Sequence, residues 1–249
     1  MQTSAGREVP KYLKAPKKDG QKYPKIIVST MKIDISKNLF KYPLYPLILL
    51  TTICLGQESF TGVIEFKTEI ETTDLAPDDY KEKLLYNYGE KVSVFYLESG
   101  NFARKYESNG ETGQFVKFYF AEKGILISTY KNITEADTID VSVNSLVLKE
   151  KKKVANETIL SLDCSCYEYK AINKSKEMIT LTYCYSEQTP ILDSNLFKLH
   201  KDFFISDFIT MSNRPYLKFS LQTSLVKMTF TAIKLRQKNI TMKDVLGID

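Results

Sequence analysis

The feature that most constrains the fold is a long succession of short alternating segments joined by hairpin-like gaps. In the first, residues 60–70 (FTGVIEFKTEI), Ile64 and Phe66 fall on one side and Glu65 and Lys67 on the other, as in a half-buried strand. Further strand patterns cover residues 91–98, 102–107, 114–121, 125–131, 138–144, 146–150, 165–172, 178–187, 216–225 and 226–239. Gaps bearing Gly or Asn are typical of hairpin connections. We therefore predict a meander of roughly eight to ten antiparallel strands, and a sheet of that size tends to curl.

Two segments interrupt these strand patterns and predict helices. In residues 77–89, Pro77 suits a first helical turn and Gly89 suits a stop. In residues 193–209, either Asp193 or Ser194 provides a cap, and four apolar residues recur at three- and four-residue intervals: Leu196, Leu199, Phe203 and Phe204. We expect the second segment to cross the apolar face of the sheet as a lid. The expected fold class is mainly β: a curved antiparallel sheet with one or two covering helices.

The segment that begins at Met31 is typical of a secretory signal peptide. Lysines precede an apolar run at residues 44–53, and small residues precede Gln57, so we expect cleavage before Gln57. The predicted organisation is residues 1–30 as an extension upstream of the true initiator, 31–56 as the signal peptide, and 57–249 as a single antiparallel β domain. The alternative makes 1–30 a cytosolic tail before a membrane anchor. It is disfavoured because the apolar run spans about 12 residues and contains Pro46, whereas a spanning helix needs about 20.

The charge of the chain is divided unevenly along its length. The net charge is +5, but residues 1–56 hold ten basic and three acidic residues, a balance of +7, so the remainder carries about −2. Nucleic-acid binding is not expected, because phosphate contact requires a clustered basic face. The basic run at residues 149–153 (KEKKK) is interpreted as a solvated turn. We expect that the protein is not an integral membrane protein once the signal peptide has been cleaved.

Three stretches carry a resemblance to a known family. They are Phe60-Thr-Gly62-Val-Ile64, the segment 157–167 (ETILSLDCSCY), and the run from Pro215 through Met228-Thr229 to Ala232-Ile233. In this order the chain resembles the LolA-like proteins of Gram-negative envelopes, and more narrowly the secreted domains related to the GLPGLI family. Ser161 stands where the family turn has Gly. The resemblance implies a curved half-barrel with a hydrophobic cavity that binds acyl chains or lipoproteins, in the periplasm or outside the cell.

Catalytic and metal-binding patterns are not recognisable. The single histidine, His200, falls in the predicted lid and is expected at the surface or the rim, without a nucleophile and an orienting acid beside it. One His and three Cys after residue 56 lack the paired spacing of a zinc site. We therefore expect no enzyme activity, no metal and no cofactor.

The cysteines allow two interpretations. Cys164 and Cys166 share one side of a strand, and a hairpin folded near residues 173–177 brings Cys166 opposite Cys184. Either Cys166 and Cys184 form a disulfide, as an oxidising compartment permits, or all three cysteines are reduced and buried as small hydrophobes. In the first case Cys164 remains as an odd thiol that is either buried or paired between molecules.

The favoured function is that of an exported envelope protein that binds an apolar ligand, a lipid or an acylated protein, in the cavity of the curved sheet. The predicted lining comes from aromatic and aliphatic residues of the strands and the lid: Ile64, Phe66, Phe95, Phe118, Phe120, Tyr183, Phe203, Phe204, Phe219 and Phe230. A one-residue error in the assumed register of a strand would place all its predicted lining residues on the opposite face of the sheet. The alternative is a structural or interaction module with a solid core and no ligand.

Overall fold

The computed structural model describes residues 59–110, 115–130 and 133–246. The expected extension, signal peptide and cleavage site before Gln57 lie outside these described residues. The strands are β1 (Gly62–Thr72), β2 (Lys91–Tyr96), β3 (Phe102–Tyr106), β4 (Phe115–Phe120), β5 (Ile125–Tyr130), β6 (Ile133–Asp140), β7 (Val147–Ile159), β8 (Leu162–Ile172), β9 (Met178–Tyr185), β10 (Lys218–Gln222) and β11 (Val226–Gln237). The helices are α1 (Tyr80–Tyr88), α2 (Ile205–Ser212) and α3 (Met242–Leu246).

All eleven strands belong to one antiparallel sheet, in the order β6-β5-β4-β3-β2-β1-β11-β10-β9-β8-β7. Most neighbours are joined by hairpins, and β1 pairs with β11 in the middle, so the first and last strands hold the two halves together. The predicted fold class is confirmed: the chain is mainly β, with a curved, unclosed sheet and short covering helices.

Contacts between distant strands define a concave face. The guanidinium of Arg104 on β3 lies 5.9 Å from the centroid of the Tyr216 ring, just before β10. Four strand spacings of about 4.8 Å separate β3 from β10 along the sheet, so the sheet curls around the side that these residues share. We call that side the concave face and the other the convex face.

The prediction of a solvated turn at residues 149–153 is wrong, because these residues lie within β7. Among the described strands, β7 lies at the edge of the sheet and pairs with β8 alone, and an exposed edge tolerates charged side chains on both faces. Lys152 lies 3.2 Å from Glu168, and Lys170 lies 3.4 Å from Glu150, so the charges pair across the two strands.

Residues 193–209 do not form the single predicted helix. A 3₁₀ turn at Ser194–Phe197, a second at Asp202–Phe204 and helix α2 replace it. The chain breaks at Phe203 and Phe204, whose φ angles of 53° and 59° are left-handed. Asp193 caps the first turn by accepting a hydrogen bond of 2.9 Å from the backbone N–H of Asn195. We call residues 193–212 the lid segment.

The other predicted helix is confirmed: α1 lies within residues 77–89 and is followed by Gly89, where a φ of 76° favours glycine. α3 was not predicted; it packs Val245 with Ile240 against Ala103 and Phe118 on the convex face. In the described part of the chain, no helix combines the length and apolar character needed to cross a membrane.

Candidate functional site

The concave face is lined by aromatic rings, because alternate positions of the central strands are apolar and point inward. Tyr106 on β3 and Phe115 on β4 stack with their ring centroids 4.3 Å apart. In the other half of the sheet, the ring centroids of Tyr183 on β9 and Phe219 on β10 are 5.0 Å apart. Phe66 on β1 is buried between the two halves. These residues belong to one hydrophobic cluster that runs across the sheet.

α1 covers one end of the concave face. Leu84 and Leu85 of this helix pack in a cluster with Ile70, Val226 and Met228 at the end of β1 and the start of β11. At the same end of the sheet, the ring centroid of Tyr88 lies 5.9 Å from that of Tyr106.

The lid segment covers the opposite end. The ring centroid of Phe197 lies 6.1 Å from that of Phe102 on β3. Further along the segment, the ring of Phe208 on α2 stacks on Tyr183, with centroids 4.7 Å apart. The lid segment therefore crosses from the β3 side of the sheet to the β9 side, as the sequence predicted.

Polar contacts fix the lid segment to the sheet. The Tyr183 hydroxyl donates a hydrogen bond of 2.8 Å to the carbonyl of Phe203, and the Tyr169 hydroxyl donates one of 2.9 Å to Asp207. Gly100, in the β2–β3 turn, has a φ of 77°, and a Cβ there would lie 2.4 Å from the Cβ of Leu196. Glycine is needed at this turn because the lid segment passes so close to it.

The predicted lining residues fall into three groups. Five lie on concave-face positions of the strands: Ile64, Phe66, Tyr183, Phe219 and Phe230. Two lie in the lid segment and are half-buried against the same cluster: Phe203 and Phe204. The remaining three lie on the convex face, in or against the cluster covered by Ile240 and Val245, and do not line the concave face: Phe95, Phe118 and Phe120.

The sequence pattern of β4 does not show which of its faces is inward, and this explains the wrong placement of Phe118 and Phe120. Residues 115–120 (FVKFYF) are apolar at five of six positions, so the alternation does not reveal which face is inward. In the structure Tyr119 points inward, with its ring tilted against that of Phe102 and the two centroids 5.1 Å apart, and Phe118 points outward. The same shift by one residue places Tyr96 rather than Phe95 on the concave face.

Two cations lie in the middle of this aromatic face, and the sequence analysis missed both. Arg104 stands at the centre of Phe102-x-Arg104-x-Tyr106 in β3, and Lys117 stands at the centre of the equivalent aromatic-x-Lys-x-Tyr stripe in β4. The two residues are direct partners in the β3–β4 register. A charge at an inward position between two aromatic residues was the signal that could have identified them.

Within the part of the chain that the structure describes, the two cations contact rings but no carboxylate. The Arg104 guanidinium lies 5.6 Å from the Phe102 ring centroid, and the Lys117 Nζ lies 5.9 Å from that of Tyr106. Neither takes part in any ion pair formed within the described residues. Burial and the positive charge of Arg104 lower the pKa of Lys117, an effect that Asp202 partly opposes. Asp202 itself accepts a hydrogen bond of 2.6 Å from the Ser145 hydroxyl.

A scan of the chain against protein-family models finds no match, and a search of curated proteins finds no relative. The site is therefore interpreted from its geometry and chemistry.

His200 lies in the interior, contrary to the expectation of a surface or rim position. It is 2% exposed, and its ring stacks on those of Phe102 and Tyr119, with centroids 5.3 Å and 4.6 Å away. Burial, together with the charge of Arg104, lowers the pKa of His200 to about 3. The ring is therefore neutral at ordinary pH, and it acts as an aromatic contact between the lid segment and the sheet.

Several buried polar atoms at the concave face have no hydrogen-bond partner among the described residues. They are the Thr68 Oγ1, the Arg104 Nε, the Tyr119 hydroxyl and the His200 Nδ1. Burying such an atom unpaired costs free energy, so a closed structural core selects against it. These four buried atoms therefore add a free-energy cost to folding at the concave face.

A disulfide joins Cys166 on β8 to Cys184 on β9, with the two Cα atoms 4.1 Å apart. The strand register places these residues directly opposite each other. Cys164 is free and buried, and burial raises the pKa of its thiol. Glu157 lies close to both bridged sulfurs, but its carboxylate pairs with Lys218 at 2.6 Å. Because the two sulfurs are bonded to each other, this group offers no thiolate to a metal.

An open hollow of about 560 Å³ lies beside α1, between that helix and β1. Three apolar residues line it, Ile70, Leu85 and Ile233, but six charged residues surround them: Lys67, Glu69, Glu71, Lys81, Glu90 and Lys91. Because six of its ten lining residues are charged and it is open to solvent, it differs from the closed apolar pocket that the sequence hypothesis requires.

Proposed function

We propose that this protein is an exported, non-enzymatic binding protein whose concave face holds an apolar ligand, a lipid or an acylated protein. The observation that carries the proposal is the strip of half-buried residues between α1 and the lid segment. It includes Tyr130, Leu221 and Phe230, all packed against the main hydrophobic cluster yet partly open to solvent. An apolar face that is covered from both ends and left half-open in the middle is typical of a ligand groove.

Two further features support the proposal. Curvature brings rings from both halves of the sheet toward a common interior, which gives an alkyl chain contacts on several sides. The Cys166–Cys184 bridge is typical of proteins that fold in an oxidising compartment, in agreement with the expected export. The resemblance to LolA-like proteins points to the same ligand class.

Titration with the neutral fluorescent probe phenylnaphthylamine tests the proposal. We expect saturable binding close to one probe per chain, weakened by Phe230→Asn, which introduces an amide on the concave side of β11. The matched control is Ile233→Asn in the same strand, where the side chain is 46% exposed. Absence of saturable binding, or equal effects of the two variants, would favour the alternative of a structural module with a solid core.

A further inference from the structure

We infer that the ligand of the concave face carries one anionic oxygen group, a carboxylate or a phosphate, and that Arg104 and Lys117 bind it while the aromatic rings hold its alkyl chain. This inference rests on the proposed function and narrows it to single-chain anionic amphiphiles.

The first argument is the arrangement of the charges. Arg104 and Lys117 are opposite each other on neighbouring strands, and like charges placed directly opposite destabilise a sheet. Both lie at inward positions flanked by aromatic residues, where each charge loses much of its hydration. Apolar residues at these two positions would give a more stable sheet. The cation pair therefore points to the binding of a ligand rather than to a role in folding.

Arg104 and Lys117 have no counter-charge among the described residues. The Arg104 guanidinium lies over the rings of Phe102 and Tyr216, close enough to hydrogen-bond the Tyr216 hydroxyl. The Lys117 ammonium lies 5.9 Å from the ring centroids of Tyr106 and of Phe115. These neutral rings orient the two cations without balancing their charge. The Arg104 Nε is buried and has no acceptor within the described part of the chain. An anion between the two side chains would relieve their repulsion and accept the free N–H groups at the same time.

The third argument is geometric fit. Opposed residues in an antiparallel pair have Cβ atoms about 4.5–5.5 Å apart, a spacing that lets one carboxylate or phosphate contact both side chains. A planar guanidinium binds two oxygens side by side, and an ammonium supplies a compact point charge. Ser128 continues the row, since it pairs with Lys117 and is 2% exposed. The rings of Tyr106 and Phe115 beside the cations begin the apolar path for the chain.

Competition against phenylnaphthylamine tests the inference with three compounds of equal chain length: palmitate, hexadecyl phosphate and hexadecanol. We expect either anion to compete at least about tenfold better than the alcohol, because charge-assisted hydrogen bonds distinguish them. If palmitate is the stronger competitor, the head group is a carboxylate, and if hexadecyl phosphate is stronger, it is a phosphate.

Variants assign the effect to the two cations. Arg104→Met and Lys117→Met should each weaken binding of the preferred anion by about tenfold or more and leave hexadecanol unchanged. Lys105→Met, on the convex side of the same strand β3, should change neither. Arg104→Lys keeps the positive charge and should lose less affinity for the preferred anion than Arg104→Met does. This order separates loss of anion recognition from a folding defect.

The outcomes distinguish the inference from the proposed function. Saturable probe binding with equal competition by palmitate, hexadecyl phosphate and hexadecanol would overturn the inference and leave the proposed function standing. If Arg104→Met and Lys117→Met weaken the binding of the anions and of hexadecanol equally, the inference is also overturned. Failure of the probe itself to bind would overturn both.

Discussion

At the scale of single residues, the chain tolerates polar groups in its interior that a purely structural core would avoid. The sequence showed Arg104 and Lys117 as ordinary charged residues, because neighbouring Lys105 and the β4 apolar run hid which positions face inward. His200 was assigned to the surface since a histidine between Leu199 and Lys201 carries no local sign of burial. These assignments depend on contacts across the curved sheet, which local patterns do not contain.

His200 should make the protein sensitive to mild acid. Its pKa of about 3 in the folded protein is below its ordinary value of 6.5, so the unfolded chain binds the proton more readily. Stability is therefore full above about pH 6.5 and decreases as the pH falls toward 3, by up to about 5 kcal/mol.

Denaturant unfolding between pH 7 and pH 4.5 measures this effect. The chain has one histidine, so no other imidazole titrates in this pH range. Carboxyl groups whose pKa is lowered in the folded protein, such as Glu177 with an ordinary pKa of 4.5, change the stability mainly below pH 4.5. His200→Phe keeps an aromatic ring in the stack and should abolish the slope. An unchanged slope in that variant would contradict the assignment.

Replacing Arg104 should strengthen the unliganded fold. Arg104→Met removes a half-buried charge that has no ion-pair partner among the described residues and keeps most of the apolar stem, so we expect the free energy of unfolding to rise by about 1–3 kcal/mol. Lys105→Met should change it by less than about 0.5 kcal/mol. Chemical denaturation of the delipidated proteins measures both, and a destabilised Arg104→Met variant would indicate that the cation serves the fold.

At the scale of elements, strand patterns were predicted more accurately than the lid segment. Alternation and hairpin gaps located the strands of the meander, since these signals are local. Helical spacing selected Leu196, Leu199, Phe203 and Phe204, but the buried apolar residues of the segment are Phe197, Ile205, Phe208 and Ile209. It also did not reveal the left-handed break at Phe203 and Phe204. Tertiary contacts impose that break, such as the hydrogen bond from Tyr183 to the Phe203 carbonyl.

The lid segment should depend on Phe208 more than on Phe203. Phe208 is fully buried and stacks on Tyr183, so Phe208→Ala should cost about 3–5 kcal/mol of stability. Phe203 is half-buried and left-handed, so Phe203→Ala should cost distinctly less. Thermal unfolding of the two variants tests this order, and equal losses would show that the lid segment is held differently.

At the scale of the whole molecule, the curved sheet was predictable from the sequence, whereas the identity of its concave face was not. A meander of this length must curl, but which face becomes concave depends on the summed packing of all its strands. Hence five of the ten predicted lining residues lie at concave strand positions, two lie in the lid segment, and Phe95, Phe118 and Phe120 lie outside.

The disulfide should stabilise one half of the sheet. Cys166 and Cys184 are 18 residues apart in sequence, and closing a loop of that size contributes roughly 3 kcal/mol in the chain-entropy model. We expect Cys166→Ala/Cys184→Ala to lose about that much. Peptide mapping without reduction should recover the bridged pair, and buried Cys164 should resist alkylation until the protein unfolds. Rapid alkylation of Cys166 and Cys184 in the exported protein would refute the bridge.

The central claim is that the concave face holds an acyl chain, and a site-specific quenching measurement tests it most directly. The chain contains no Trp, so one introduced indole is an unambiguous reporter. Phe230→Trp places it on the concave side of β11, and Ile233→Trp places it at an exposed position of the same strand. The account predicts that stearate brominated at mid-chain quenches Phe230→Trp saturably and leaves Ile233→Trp unaffected. Equal quenching of both reporters, or none of either, would contradict it.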